Sequence, residues 1–493
     1  MPDPQPADTQ TQAKPLAAAP PTPASMGSRV GRGVEAARDA AVSFHPRSMP
    51  LFAARNYQYE LLSSFYLPFL LAVVDSTIIS VVAKNAFAGT VSNATLNFVV
   101  AILTASTAFA NIVSFVWVKF AHGRDKVRFI NGLQLGMIGL VALIGVVPRN
   151  AGGLVMLTVL VLLARFCWAG FVTLRTTVWR QNYTRELRAH ITGKLATIQV
   201  LSVAMLGFGL GMAMNNDDRA FRLFFPLGAL LALTGVWAWS RVRVRNGPAL
   251  LEAERNTPAG QDRPSISPVS VVRLLRSDKR YAGYMGCMML LGLGNLMVGP
   301  VLVIALRDLF NFQYLGGIVI ANSLPLAMMP LSIPFWARLL DKVHVIEFRA
   351  IHCWFFVAAS VIITIAGVTR SPNLLYVSAV IQGLAFGGGV LAWNLGHLDF
   401  APAHRASEYM GVHVTLTGLR GLVAPFLAVG IWKGLEYLSP GAGAWTFAFC
   451  AGLSALGGLG FLRLRAIRKR ELAADPEKRA EAKAAGPAME TSR

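Results

Sequence analysis

Twelve stretches of this chain are apolar for about as long as a helix needs to cross the hydrocarbon of a bilayer, roughly 20 residues. They run over 61–83, 95–118, 129–147, 152–178, 191–214, 220–240, 282–306, 314–337, 350–368, 373–396, 408–432 and 443–464. A soluble domain has no room for twelve such segments. Within lipid every backbone N–H and C=O must be paired inside the segment itself, which leaves helices. Composition agrees: 54% of residues are apolar and 14% charged, against about 25% charged in soluble domains. The pattern predicts an all-α integral membrane protein with 12 transmembrane helices, and an even number puts both termini on one side.

The basic residues choose the side. With the termini inside, 37 of the 46 Lys and Arg fall on inner segments and 7 on outer ones, with Arg165 and Arg420 inside spans. Inner loops carry the excess of Lys and Arg, so both termini are expected in the cytoplasm and the protein in a plasma membrane, the inner membrane of a bacterial cell. The formal net charge of +21 is spread over loops and tails. This excludes the basic face expected of a nucleic-acid binder. Cys167, Cys287, Cys353 and Cys450 lie in four different apolar runs without metal-ligand spacing. The expected domains are an N-terminal tail (1–55), a six-helix bundle (56–240), a linker (241–280), a second six-helix bundle (281–466) and a C-terminal tail (467–493). The linker carries a short surface-helix pattern, "VSVVRLLR".

The two halves echo one another. Asp125-Lys126-Val127 returns as Asp341-Lys342-Val343, 216 residues on. Arg165 with Gly170 matches Gln382 with Gly387, and Arg188 matches Arg405, both at 217. Three landmarks within one residue of a common offset indicate a duplicated six-span unit. The hinge "AHGRDKVRF" resembles the loop after the second span in the major facilitator superfamily, through Ala121, Asp125, Lys126 and Arg128. "ARLLDKVHV" repeats it with Ala337, Asp341 and Lys342, His344 standing where the family has its second glycine. The fourth span, "ARFCWAGF", is similar to the family's Arg-x-x-x-x-Gly pattern. The resemblance covers about 56–466 and implies two pseudo-symmetric six-helix bundles. It also implies a cavity lined by the first, fourth, seventh and tenth spans. By the same resemblance Asp125, Lys126, Asp341 and Lys342 belong to cytoplasmic gate loops, with Arg188 and Arg405 as partners on neighbouring loops. A topological anchor at the membrane surface is the plainer alternative for the same charges.

Three ionisable residues fall near the middle of spans: Asp75, Arg165 and Arg420. Such residues are expensive in lipid, about 2.5–3.5 kcal/mol each on insertion scales, and need a partner or a wet cavity. On the implied cavity helices Asp75 meets Arg165, either as a coupling pair or as a static ion pair between two helices. Asn295 and Gln382, on the seventh and tenth spans, are further solute-contact candidates, and Asn322 lies deep in the eighth. One acid against two arginines tilts the solute toward an anionic or carboxylated molecule. His413 is a proton-transfer candidate. The stretch "WNLGHLDFAPAHR" fits a gate or a helix cap better than a metal site.

Neither Gly-x-x-x-x-Gly-Lys-(Ser/Thr) nor a hydrolase or metalloprotease motif occurs. The expectation is therefore a secondary transporter, not an enzyme, with no cofactor and no catalytic or metal site. It moves a small molecule by alternating access, with protons as coupling partner in a symport and membrane lipids around it. A transporter-fold sensor or scaffold is one alternative, a lipid or lipophile flippase another.

Overall fold

A computed structural model of the chain describes residues 38, 42–256, 268–401 and 406–474. Regular structure among them is helical, apart from one isolated bridge between Ala88 and Val91. Eleven helices are long and apolar enough to span a bilayer, and a bent pair, Leu51–Val74 and Ser76–Ala86, makes the twelfth. Residues Arg55–Arg493 form one compact unit.

The first span has three segments, Leu51–Tyr66, Pro68–Val74 and Ser76–Ala86. The second comprises Asn93–Val113 and Phe115–Ala121. Lys126–Ile144, Ala151–Asn182, Arg185–Asn216 and Phe221–Ser240 complete the N-terminal half. The linker holds two short helices, Gly247–Asn256 and Pro268–Ser277. Lys279–Asp308 is the seventh span. The eighth runs through Tyr314–Ile318, a π-helical turn at Val319–Ser323, and Leu324–Leu340. Val345–Thr369, Pro372–Leu395, Ala406–Leu438 and Thr446–Ala474 follow.

Two boundaries differ from the sequence expectation. The first helix begins at Leu51, because "LFAARNYQYE" is helical despite its polarity. The fourth and fifth spans are 32 residues each, which leaves only Tyr183 and Thr184 between them. Arg188, expected on a loop, is therefore on the fifth helix.

Between the halves, the second span packs on the eleventh and the fifth on the eighth. Small residues make this possible. A Cβ on Gly211 would sit 2.9 Å from the Leu315 backbone, and one on Gly207 3.2 Å from Ile318. Positions i and i+4 share a helix face, so both glycines of the fifth helix serve the same seam. Gly383 and Gly387 do likewise between the tenth and eighth spans, against Pro325 and Met329. These glycines are sites of close packing.

We call the side of the membrane that carries the Asp125 and Asp341 turns the hinge face. The apolar core of the N-terminal half continues into the C-terminal half through Met297–Leu306, Ile318 and Ile320, all at the opposite end. At the hinge face the C-terminal half has a core of its own, built on Tyr281, Tyr284, Trp336, Val345 and Phe461. The halves thus share a core away from the hinges and keep separate cores beside them.

Candidate functional site

The break in the first span is the centre of the site. Pro68 opens its middle segment without an N–H to give, and that segment stops at Val74. Asp75 then leaves the helix, with φ −56° and ψ 127°, and caps the next one. Its Oδ1 accepts from the backbone N–H of Thr77 at 3.0 Å and of Ile78 at 3.2 Å. Short polar side chains cap helices in this way because the first turn has N–H groups without helical acceptors. The same Oδ1 accepts a third bond, 2.9 Å from Asn322 Nδ2 in the π-turn of the eighth span. One carboxylate oxygen therefore ties the two halves together.

The other oxygen, Oδ2, faces Arg165 Nη2 at 3.9 Å. That is an ion pair, but too long for a hydrogen bond. The same Nη2 donates instead to Thr107 Oγ1 at 2.6 Å. The Arg165 side chain is 7% exposed and that of Asp75 20%, so solvent reaches the acid more than the base. The guanidinium is held by the second span and lent to the first. Arg165 Nε and Asn322 Oδ1 are buried without partners.

The other intramembrane residues fall into two groups. Gln382 Nε2 donates to Asn295 Oδ1 at 3.1 Å, joining the tenth and seventh spans, and Gln382 Oε1 is buried and unpaired. Arg420 does not join Asp75. Its Nη1 donates to the Met288 carbonyl at 2.6 Å and its Nη2 to Thr417 Oγ1 at 3.2 Å, within the C-terminal half.

At the face opposite the hinges, Lys84 is 1% exposed and bridges the halves. Its Nζ donates to Asp308 Oδ2 on the seventh span at 2.9 Å and to Asn97 Oδ1 at 2.6 Å. In sequence Lys84 reads as a charge at a span's end; the structure seals it inside the seam.

The duplicated hinges are not used alike. Asp125 caps the third span through the Arg128 N–H at 2.8 Å. Lys126 donates to Ala121 O and to Glu254 of the linker. Glu254 also accepts from the Gly123 N–H at 3.0 Å, where φ is +65° and glycine is the residue that fits. Asp341 and Lys342 are exposed, and His344 caps the ninth span in their half. Burial pushes His344 below the usual histidine pKa, against the pull of Asp399. Arg188 donates to the Tyr183 carbonyl at 3.2 Å rather than to either hinge carboxylate. Arg405 lies outside the described residues.

Glu60 is a buried acid that the sequence reading leaves just before the first span. Trp179 Nε1 donates to Oε2, and Tyr183 Oη donates to Oε1 at 2.9 Å. Burial and the Glu60 charge hold the Tyr183 phenol well above its usual pKa. Arg175 lies within electrostatic reach, its Cζ 4.2 Å from the centre of the Trp179 ring.

Twelve spans in two echoed halves, joined across the bilayer around a buried acid–base pair, define a membrane transport protein rather than an enzyme. The model of the Major Facilitator Superfamily matches residues 65–425, and the chain belongs to that family. Among solved structures the fold is similar to the POT family transporter PepTSo, with a TM-score of 0.64 at 11% identity over 84% of this chain and 98% of the other. It is also similar to the inward open xylose transporter XylE from E. coli, with a TM-score of 0.57 at 14% identity, covering 83% and 95%. For nucleoside transporter NupG the TM-score is 0.56 at 16% identity, covering 82% and 98%. No curated protein matches the chain in sequence.

Proposed function

We propose that the protein is a secondary transporter that moves a small anionic or carboxylated solute by alternating access, coupled to protons through Asp75 and Arg165. The observation that carries this reading is the Asp75 carboxylate. It receives Asn322 from the opposite half and faces Arg165 at 3.9 Å, beside a guanidinium already anchored on Thr107. A proton on Asp75 removes the charge that holds both partners. An anionic group at Arg165 competes with Asp75 in the same way. Protonation loosens the Asn322 contact between halves and an anion loosens the Asp75–Arg165 pair beside it, which is what coupling needs: a ligand shifts an equilibrium only through different interactions in the two states.

A shared core on one side, with Lys84–Asp308 sealing it, and separate cores at the hinges correspond to a state closed on one face and able to part on the other. In this reading the hinges are cytoplasmic, as the Lys and Arg bias predicts, and Asn295, Gln382 and Arg420 meet the solute in the C-terminal half. The hinges Asp125-Lys126 and Asp341-Lys342, with Arg188 and Arg405, guard the cytoplasmic side.

The test is Asp75→Asn in proteoliposomes, with solutes first found by comparing metabolites taken up by cells with and without the protein. Coupling predicts that solute exchange persists while accumulation against a gradient, driven by a pH difference, is lost. Accumulation equal to that of the unaltered protein rules out Asp75 as the coupling residue.

A further inference from the structure

The C-terminal half buries a group of cationic and donor side chains of which the transport reading uses only Arg420. Arg349 on the ninth span is 2% exposed and Arg420 on the eleventh 6%. Among the described side chains, neither has a carboxylate within ion-pair distance. The charge of Arg349 reaches Arg420, His413 and Tyr284, so two like charges share a dry region. Burying an unpaired guanidinium costs several kcal/mol, and a second one nearby adds repulsion.

Around them sit polar atoms with no partner. Among the described residues, Arg349 Nε, Arg420 Nε and both ring nitrogens of His413 are buried and make no hydrogen bond, and the Tyr284 hydroxyl makes none of ordinary geometry, with Arg349 its nearest polar neighbour. His413 is 1% exposed and His352 fully buried. His352 is already engaged, with Nδ1 3.4 Å from Arg349 Nη1 and Nε2 2.7 Å from the Ala385 carbonyl. Native interiors leave few polar groups unsatisfied, and five such atoms in one neighbourhood require an explanation. Arg349, Arg420, Tyr284 and His413 can each donate to an acceptor. Among the described side chains the acid beside the group, Asp399, is spent on the Val345 N–H at 2.7 Å, where it caps the ninth span.

Glycine clears the ground for these groups. A Cβ on Gly292 would lie 2.4 Å from Arg420 Cζ, and one on Gly396 2.9 Å from the Tyr284 hydroxyl. The guanidinium therefore lies against the bare backbone of the seventh span, and its remaining bonds go to Met288 O and Thr417 Oγ1. Two neutral acceptors leave its charge uncompensated.

We infer that Arg349, Arg420, Tyr284 and His413 form a binding site for one small anionic group, a halide or a carboxylate, set in the C-terminal half apart from the Asp75–Arg165 pair. An anion accepts from the Tyr284 and His413 donors as water would, and adds what water cannot, a negative charge beside two guanidiniums. The group is either a free inorganic ion or the anionic end of the solute. Only the second source rests on the transport reading.

The experiment uses the purified full-length protein in an uncharged detergent. Sodium chloride and sodium acetate are titrated against sodium gluconate at constant ionic strength. The readouts are the thermal unfolding midpoint and the part of the tryptophan fluorescence change that Trp393→Phe removes, the Trp393 ring centroid being 5.6 Å from that of His413. A saturable rise in both is expected. Arg349→Gln or Arg420→Gln weakens half-saturation about tenfold or more, the worth of one charge-assisted hydrogen bond. Gly292→Ala keeps every charge but displaces Arg420, and weakens binding similarly. Tyr284→Phe, close to isosteric, covers the event that an arginine variant fails to fold. Arg165→Gln leaves the Trp393 part of the titration unchanged.

Saturation by acetate alone assigns the site to a carboxylated solute, and saturation by chloride as well assigns it to an inorganic ion. A response linear in salt, or one identical in Arg420→Gln, Gly292→Ala and Tyr284→Phe, overturns the site. Uptake assays on Arg349→Gln and Tyr284→Phe keep the two readings separate, since the site can fail while transport persists and transport can fail while binding persists.

Discussion

Removing Asp308 should open the face of the protein opposite the hinges. Lys84 is 1% exposed and has two polar partners at the seam, Asp308 and Asn97. Asp308→Ala deletes the only charged one of these and leaves an ammonium facing an amide in a dry place. Breaking a fully buried pair costs about 3–5 kcal/mol. The Asp308 side chain is 26% exposed, and exposed ion pairs contribute little, so roughly 2–3 kcal/mol is a fair figure here. The penalty applies only while the seam is shut, because water solvates Lys84 once the halves part. The closed state should therefore lose a factor of roughly 30–150 relative to the open one.

Spin labels on Asn216 and Gln313, residues on opposite halves at this face, report the separation by electron–electron double resonance. Asp308→Ala should move most of the distance distribution to longer values. Lys84→Met with Asp308→Leu, which removes both charges together, should shift it much less, because apolar replacement of a buried pair is close to neutral. If the single variant keeps the distribution of the unaltered protein, the Lys84 bridge does not hold this face and the argument from burial fails.

Three further outcomes follow from the geometry. Glu60→Ala strands Trp179, Tyr183 and Arg175 together and should lower stability by about 3–5 kcal/mol, whereas Glu60→Gln keeps the shape and should cost less; thermal unfolding in detergent compares them. Gly383→Val drives a Cβ to within 2.5 Å of the Pro325 carbonyl and should destabilise by about 1–3 kcal/mol through overpacking, visible as a lower unfolding midpoint. Glu254→Ala frees the helix Gly247–Asn256 from Gly123 and Lys126, so trypsin should cut after Arg255 faster while membrane insertion is unchanged.

The spans and their number are legible in the sequence because hydrocarbon demands long apolar helices and tolerates few substitutes. The meeting of Asp75 and Arg165 rests on a physical rule with a fold-level premise. Deep charges need partners, and the family resemblance supplies which helices are neighbours. What stays hidden belongs to the ends of the helices. Lys84 closes an apolar run and so reads as a boundary charge, although the seventh span covers it. Glu60 sits in "NYQYELLSS", polar enough to fall outside the predicted first span, yet the helix continues through it and Trp179 and Tyr183 close over its carboxylate. Arg349 stands one residue before its apolar run and reads as loop, although the ninth helix begins at Val345 and buries it. Position within a helix is local information. Burial depends on which neighbour arrives, and hydropathy carries no trace of that. The π-turn that aims Asn322 at Asp75 is hidden for the same reason, since no residue type specifies it.

The duplication also explains why the halves divide their electrostatics as they do. Two copies of one unit start with equivalent hinges and spans, but Asp125 caps the third span while His344, not Asp341, caps the ninth, and Arg165 is answered by Gln382. In the N-terminal half Arg165 and Arg175 each have an acid within reach, Asp75 for the first and Glu60 for the second. In the C-terminal half, among the described side chains, Arg349 and Arg420 have no paired acid, and the acid beside them is committed to a backbone cap. A balanced half can hold its shape with or without a ligand. An unbalanced half is least stable when nothing compensates its charge, and is stabilised by whatever anion enters. Stabilisation that depends on an occupant separates a site from a scaffold, and in this protein it falls on the C-terminal copy.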